Sequence, residues 1–225
     1  MSVKILLAAI NSKYIHMNPA VYSLRTYALG SGALNTENAE IAIAEYTINQ
    51  PVDEILGDLY EQKPDVIGFS CYIWNWQMTK ELMVEVKKLL PKTDIFLGGP
   101  EVSYEAEKIM EQYGRANEET GNGPVIRGII LGEGEKTFCE LVGYYAQRED
   151  HNLLQDIKGL LLDNGYTGMR EPLSFSEIPF LYEEQRLSGK GLQDFRNKII
   201  YYESSRGCPF RCSYCLSSID KTLRL

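Results

Sequence analysis

Three cysteines near the carboxyl end of the sequence are close enough to bind one metal centre. Cys208, Cys212 and Cys215 lie within eight residues, with the spacing Cys-x3-Cys-x2-Cys. Three thiols this close cannot all pair with one another. Each thiolate can instead bind one iron of a four-iron, four-sulfur cluster and leave the fourth iron without a protein ligand. An iron with an open coordination position is what substrate or cofactor chemistry requires.

One other interpretation of the three cysteines stays open. A structural zinc site could use the same three thiolates, with a fourth ligand elsewhere, although zinc sites more often contain paired Cys-x2-Cys units. The total of five cysteines is odd and has no regular spacing, which disfavours a disulfide framework. Cys71 and Cys139 stand alone in apolar contexts, and we expect both to be small buried hydrophobic residues.

The sequence around the three cysteines resembles the signature of the radical S-adenosylmethionine enzymes. Tyr214 directly precedes the third cysteine, and the segment from Glu203 to Phe210 is similar to that family's approach along the first barrel strand. In the family, S-adenosylmethionine binds the open iron and is cleaved to a 5′-deoxyadenosyl radical. The resemblance implies a [4Fe-4S] cluster at Cys208, Cys212 and Cys215, S-adenosyl-L-methionine, a small-molecule substrate and a one-electron donor such as flavodoxin or ferredoxin.

Apolar runs that alternate with helical patterns predict an α/β domain over residues 1–150. Continuous apolar runs are typical of strands buried on both faces of a parallel sheet. We therefore expect a Rossmann- or flavodoxin-like, doubly wound parallel sheet. The five predicted strands are Val3 to Ile10, Ile41 to Ile48, Val66 to Tyr72, Ile95 to Leu97 and Ile126 to Leu131.

The pattern changes after residue 150. Ile157 to Leu162 and Tyr166 to Arg170 predict a β-hairpin with an Asn164-Gly165 turn, followed by a connecting segment, so that 151–198 forms a linker. Ile199 to Glu203 predicts a new strand that leads into the cysteines. By the resemblance, 199–225 is the start of a truncated radical S-adenosylmethionine domain. We expect this stretch to be the amino-terminal part of a longer enzyme and to be catalytically silent alone.

Candidate ligand-binding residues follow four of the predicted strands. They are His16, the segment from Ser70 to Asn75, the pair Gly98-Gly99, and Gly132-Glu133-Gly134-Glu135. Open parallel sheets bind ligands beyond the carboxyl ends of their strands, and paired glycines let a ligand lie close to the backbone. Tyr72, Trp74 and Trp76 are either core residues or the wall for a flat macrocycle. The two glutamates of the last motif argue against a phosphate there.

The order of domains resembles the cobalamin-dependent class of the radical S-adenosylmethionine superfamily. Ser70 and Gly98-Gly99 are similar to that class's serine and double-glycine elements, which receive the nucleotide tail of the corrinoid. The Asp-x-His-x-x-Gly motif of many corrinoid proteins is replaced here by Tyr14, His16 and Pro19. His16 is therefore a candidate cobalt ligand without the aspartate that would orient it, and a loop hydrogen bond is its alternative role.

The resemblance implies a function, and one competing hypothesis remains. The implied enzyme is a cobalamin-dependent radical S-adenosylmethionine methyltransferase or an oxidative cyclase, similar to the anaerobic magnesium-protoporphyrin IX monomethyl ester cyclases. Alternatively, the α/β domain is a recognition module for substrate that binds no corrinoid. The missing Asp-x-His-x-x-Gly motif is the best support for that alternative.

Composition and charge exclude other classes of protein. A net charge of −8 and a pI near 5.0 argue against a nucleic-acid-binding surface, which needs clustered basic residues. A hydrophobic content of 44% is typical of globular domains. No apolar run approaches the ~20 residues of a membrane span, and the first residues lack the features of a signal peptide. We therefore expect a cytoplasmic protein.

Overall fold

A seven-stranded sheet forms the centre of the computed structural model. The structure describes residues 2–30, 38–116, 123–146, 153–183, 195–210, 212–215 and 223–225. Within these ranges the strand order is β2-β1-β3-β4-β5-β6-β7. The strands are β1 (Val3–Asn11), β2 (Ala39–Thr47), β3 (Val66–Ser70), β4 (Asp94–Gly98), β5 (Gly128–Ile130), β6 (Leu160–Leu162) and β7 (Gly165–Tyr166).

The first five strands are parallel and have the flavodoxin-like order 2-1-3-4-5. This arrangement confirms the predicted α/β fold. Strand β1 lies between β2 and β3, so the direction of winding reverses beside it. Ligands of such sheets bind at this reversal, outside the carboxyl ends of the strands.

Helices cover both faces of the sheet. Along β1, alternate side chains enter two different cores, which explains why the whole strand is apolar. Helices α2, α3 and α5 pack against one face, and α1 and α6 pack against the other. The helices are α1 (Pro19–Gly30), α2 (Val52–Gln62), α3 (Trp76–Leu89), α4 (Pro100–Ser103), α5 (Ala106–Tyr113) and α6 (Glu135–Ala146). None of the described helices is long and apolar enough to cross a membrane.

The predicted hairpin exists, but it belongs to the sheet. Strand β6 pairs antiparallel with β5, and Leu160 and Leu162 are buried. The hairpin thus covers the edge that the short β5 would otherwise expose. The two turn residues are Asp163 and Asn164, while Gly165 begins β7 with a φ of +125°. The sheet is therefore mixed, where the sequence predicts a purely parallel sheet and a separate linker.

The strand predicted from Ile199 to Glu203 is not formed in the described part of the chain. A strand needs a partner for its backbone groups, and here Ile199 N–H donates to the Ile15 carbonyl of the β1–α1 loop instead (2.7 Å). Residues 195–198 form a turn, and Ile199 and Tyr201 lie against that loop. Parts of the predicted connection (184–194) and of the tail (216–222) lie outside the described residues.

Candidate functional site

Ser70 ends β3 and belongs to a polar network at the carboxyl edge of the sheet. Its hydroxyl oxygen accepts a hydrogen bond from Asn18 Nδ2 (3.0 Å), and its carbonyl accepts one from Asn75 Nδ2 (2.9 Å). The fully buried Asn75 amide also donates to the Ile10 carbonyl of β1 (3.0 Å), so it joins the two strands beside the winding reversal. Asn18 has no signal in the sequence beyond being an asparagine in the loop after β1.

The two glycines after β4 differ in what the fold requires of them. Gly99 has a φ of +111° and a ψ of 172°, a conformation open essentially to glycine alone. A Cβ on Gly99 would lie 2.5 Å from the Cys71 carbonyl oxygen, whereas one on Gly98 would meet Ile130 at an ordinary 3.7 Å. The close approach of the loops after β3 and β4 therefore demands Gly99. Packing within the protein does not demand Gly98.

The aromatic residues after β3 divide between two environments. Tyr72 and Trp74 stack with a centroid distance of 4.5 Å and an angle of 10°, and Trp74 Nε1–H donates to the Ile10 carbonyl (3.3 Å). Burial raises the pKa of Tyr72, and a hydrogen bond with Ser70 opposes that rise. Trp76 instead packs against the hydrophobic core. Tyr72 and Trp74 thus form a flat, half-exposed surface next to Ser70.

His16 has a hydrogen-bond partner that local sequence does not reveal. Its Nδ1 lies 2.5 Å from the hydroxyl of Tyr201, which is 185 residues away in sequence. Its carbonyl accepts a hydrogen bond from Asn11 Nδ2 (3.1 Å). The ring therefore makes the loop hydrogen bond that was the alternative expectation. Position 14 is a tyrosine rather than the aspartate of the corrinoid motif, and the hydrogen-bond partner of the His16 ring is Tyr201 instead.

Glu45 is a buried carboxylate that joins β2 to the segment before the cysteines. Its oxygens accept hydrogen bonds from Asn11 Nδ2 (2.8 Å), the Asn18 backbone N–H (2.9 Å), the Tyr22 hydroxyl (2.8 Å) and Lys198 Nζ (3.0 Å). The Glu45 and Lys198 side chains are only 11% and 14% exposed. A carboxylate this buried is stable only with such partners, so the network fixes Lys198 in place.

Two glutamates after β5 bind arginines from the carboxyl-terminal part of the chain. Glu135 Oε1 accepts hydrogen bonds from Ser23 Oγ (2.8 Å) and Arg206 Nη2 (2.6 Å). Burial opposes ionisation of Glu135, but the bond and charge of Arg206 outweigh it and hold the pKa of the carboxyl below its usual range. Glu133 pairs with Arg224 and lies 3.6 Å from Arg206.

The three candidate cluster ligands are accessible and are not gathered around one point. Cys208 and Cys212 are half-buried, and Cys215 is exposed. No group of three His, Cys, Asp or Glu side chains in the described ranges could hold a metal ion. The Cys215 N–H does donate to the Cys212 carbonyl (3.2 Å), which forms the turn between them. Their donor chemistry fits an iron–sulfur cluster, and their role as ligands stays a prediction.

The other two cysteines are buried, as predicted. Cys71 is fully buried, and Cys139 lies in the core beneath α6. Burial raises the pKa of the Cys71 thiol to about 12, and the thiol contacts the Phe69 carbonyl at 3.6 Å. Neither thiol is placed to react at the carboxyl edge.

Residues 8–142 match the family model described as the B12 binding domain. The chain belongs to the B12 binding domain family. The matched range runs from β1 into α6 and includes the loops that follow all five parallel strands. The residues after α6 that contact these loops lie outside it. This match confirms the predicted resemblance of the α/β domain to cobalamin-binding proteins.

Curated relatives of this B12 binding domain protein include enzymes of known reaction type. It is 27% identical over 85% of its length to the cobalamin-dependent radical SAM methyltransferase TokK of Streptomyces tokunonensis, and 25% identical over 89% to the hopanoid C-3 methylase of Methylococcus capsulatus. It is 22% identical over 77% to the anaerobic magnesium-protoporphyrin IX monomethyl ester cyclase of Cereibacter sphaeroides. These matches cover 27%, 38% and 27% of the relatives, so the chain spans well under half of their length.

A solved structure has the same fold over nearly the whole chain. The cobalamin-dependent S-adenosylmethionine radical enzyme OxsB, solved with aqua-cobalamin and S-adenosylmethionine, matches with a TM-score of 0.71 and 19% identity. The match covers 99% of this chain and 30% of OxsB. At this identity the likeness supports the fold of the B12 binding domain and of the segments that follow it.

Proposed function

We propose that this chain binds cobalamin at the carboxyl edge of its sheet and forms part of a radical S-adenosylmethionine methyltransferase. The match to the B12 binding domain over residues 8–142 carries this proposal. Two of the relatives described above are named for methyl transfer and one for cyclisation, which favours methylation of a small-molecule substrate. Oxidative cyclisation is the alternative reaction.

The residues at the carboxyl edge fit a corrinoid. Gly98 leaves bare backbone with room above it, because its hypothetical Cβ would make only an ordinary contact. Ser70 presents a half-buried hydroxyl beside it, and Tyr72 and Trp74 provide a flat wall. We propose that Ser70, Gly98 and Gly99 receive the nucleotide tail. Cobalt bound there would supply a transferable methyl group.

The three cysteines are proposed to bind a [4Fe-4S] cluster, whose open iron would bind S-adenosyl-L-methionine. Cluster assembly would bring the three thiolates together around one centre. An external one-electron donor, such as flavodoxin or ferredoxin, would reduce the cluster. This assignment is supported by the Cys-x3-Cys-x2-Cys spacing and by the relative TokK, which is named as a radical SAM methyltransferase.

A hydroxocobalamin titration of the full-length protein tests the corrinoid site. We expect a saturable change in the visible spectrum, and Ser70→Ala should weaken binding about tenfold, the effect of one hydrogen bond. Ser174→Ala is the matched control, because it removes an exposed hydroxyl that contacts only Ser176 among the described side chains. If a large corrinoid excess gave no spectral change, the domain would instead be a recognition module without a corrinoid.

Anaerobic reconstitution with iron and sulfide tests the cluster site. Wild-type protein should bind about four irons per chain and cleave S-adenosylmethionine to 5′-deoxyadenosine. Replacement of Cys208, Cys212 and Cys215 by alanine should abolish both, whereas Cys139→Ala, which removes a buried thiol, should retain the iron. Zinc without iron in protein purified anaerobically would support the structural zinc site instead.

A further inference from the structure

Arg206 lies two residues before the first cysteine, and its guanidinium is buried among carboxylates. Its side chain is 13% exposed. Nη2 donates to Glu135 (2.6 Å) and to Glu203 (2.9 Å), and Nη1 lies 3.6 Å from Glu133. Glu133, in the β5–α6 loop, and Glu135, at the start of α6, are both distant from Arg206 in sequence.

A second arginine, Arg224, follows the cysteines in sequence and binds beside Arg206. Arg224 and Arg206 form an antiparallel bridge, with N–H to carbonyl distances of 3.0 and 2.9 Å. The Arg224 guanidinium pairs with Glu133 and also donates to the Leu173 carbonyl (2.6 Å). The bridge closes the base of the chain segment that contains all three cysteines. Both arginines at this base contact Glu133.

The carboxylates hold this position because they are fixed from the other side. Glu135 is the first residue of α6, its side chain is 6% exposed, and Ser23 of α1 donates to the same oxygen that Arg206 contacts. A buried carboxylate loses its hydration and needs a charged partner of good geometry. The planar guanidinium is suited to bridge several carboxylates at once, which a lysine ammonium cannot do equally well.

We propose that Glu133 and Glu135 are positioning residues that anchor the base of the cysteine loop to the B12 binding domain. The anchor fixes the base of the cysteine loop relative to the carboxyl edge of the sheet. This inference rests on the proposed role of the cysteines as cluster ligands. It assigns a function to the Gly-Glu-Gly-Glu motif.

Limited trypsin digestion of the protein without cofactors tests the anchor directly, because trypsin cleaves after Arg206 only when that side chain is released. We expect Glu135→Gln to increase the cleavage rate at Arg206 roughly tenfold to a hundredfold, as for loss of a hydrogen bond to a charged group. Glu140→Gln is the matched control, since it breaks the Arg170–Glu140 pair from the same helix. Equal cleavage in the two variants would overturn the proposal.

A second measurement separates positioning from general destabilisation. In reconstituted Glu135→Gln and Glu133→Gln, we expect less iron and an altered electron paramagnetic resonance change on addition of S-adenosylmethionine, with hydroxocobalamin affinity within about twofold of wild type. Arg206→Lys should behave similarly, because lysine keeps the positive charge but lacks the planar guanidinium that bridges several carboxylates. Unchanged cluster spectra in all three variants would refute the positioning role. If wild-type protein itself failed to bind iron, the proposed function would be wrong. The trypsin digestion would still show whether Glu133 and Glu135 hold Arg206 in place.

Discussion

Gly99→Ala tests the most specific steric claim about the site. Alanine at a φ of +111° and a ψ of 172° adopts a region that costs about 1–3 kcal/mol. Its Cβ would also overlap the Cys71 carbonyl oxygen at 2.5 Å and force the loops after β3 and β4 apart. The hydrogen bond from Cys71 N–H to the Gly98 carbonyl (2.7 Å) joins these loops and would weaken. We expect a loss of about 2–4 kcal/mol in the free energy of unfolding.

Urea denaturation measures this loss. At a slope of about 2 kcal/mol/M, the midpoint should fall by about 1–2 M. Both tryptophans, Trp74 and Trp76, follow the Cys71 loop, so fluorescence reports on this region and circular dichroism reports on the whole domain. The neighbouring Gly98→Ala is the control. Its Cβ meets Ile130 at 3.7 Å, so stability should change by less than about 1 kcal/mol.

The pair of variants also separates folding from binding. Gly98→Ala should keep its stability and weaken hydroxocobalamin binding, because the added methyl group occupies the space proposed for the nucleotide tail. If Gly99→Ala proved as stable as wild type, the argument from backbone conformation would be wrong. If Gly98→Ala bound hydroxocobalamin as tightly as wild type, the tail would lie elsewhere.

Three further predictions follow from buried polar groups. Asn75→Ala should lower the free energy of unfolding by about 2–4 kcal/mol, because the Ile10 carbonyl of β1 and the Ser70 carbonyl of β3 each lose a buried donor; urea denaturation measures this, and an unchanged midpoint would contradict it. Glu135, with its lowered pKa, stabilises the fold above the unfolded value of about 4.3 and loses this as pH falls through the lower folded value. The melting-temperature difference between wild type and Glu135→Gln should therefore close at acid pH, and a constant difference would refute the assignment. We expect His16 to serve as a loop hydrogen-bonding residue with Tyr201, so His16→Gln should leave the nitrogen splitting in the cob(II)alamin electron paramagnetic resonance spectrum unchanged. A changed splitting would make His16 a cobalt ligand through Nε2, with Tyr201 as the partner of Nδ1.

The sheet could be predicted because its signals are local. Strand β1 is apolar along its whole length since both faces are buried, and a parallel strand of this kind is recognisable without knowledge of its neighbours. The same reasoning placed Ser70 and Gly98-Gly99 at one edge, because parallel strands end together.

The features of the site that the sequence does not predict depend on contacts between residues that are distant in sequence. Arg206 and Glu135 are 71 residues apart, and His16 and Tyr201 are 185 apart. Charged or aromatic residues in loops have no periodicity that would indicate their partners. The hairpin turn was recognisable from Asn164-Gly165, but nothing in the turn indicates that its first strand pairs with β5. Pairing between segments, rather than the segments themselves, is what sequence patterns leave undetermined.

The attachment of the hairpin to β5 affects how the protein should be dissected. A Cβ on Gly128 would come within 2.9 Å of the Leu162 side chain, so the two strands are in close contact there. Truncation near residue 150 would remove this cover and leave a short, naked strand edge open to intermolecular association. A truncated chain meant to contain only the B12 binding domain should therefore end beyond Tyr166. If shorter chains were insoluble, the cause would be the exposed edge of β5 rather than an unstable fold.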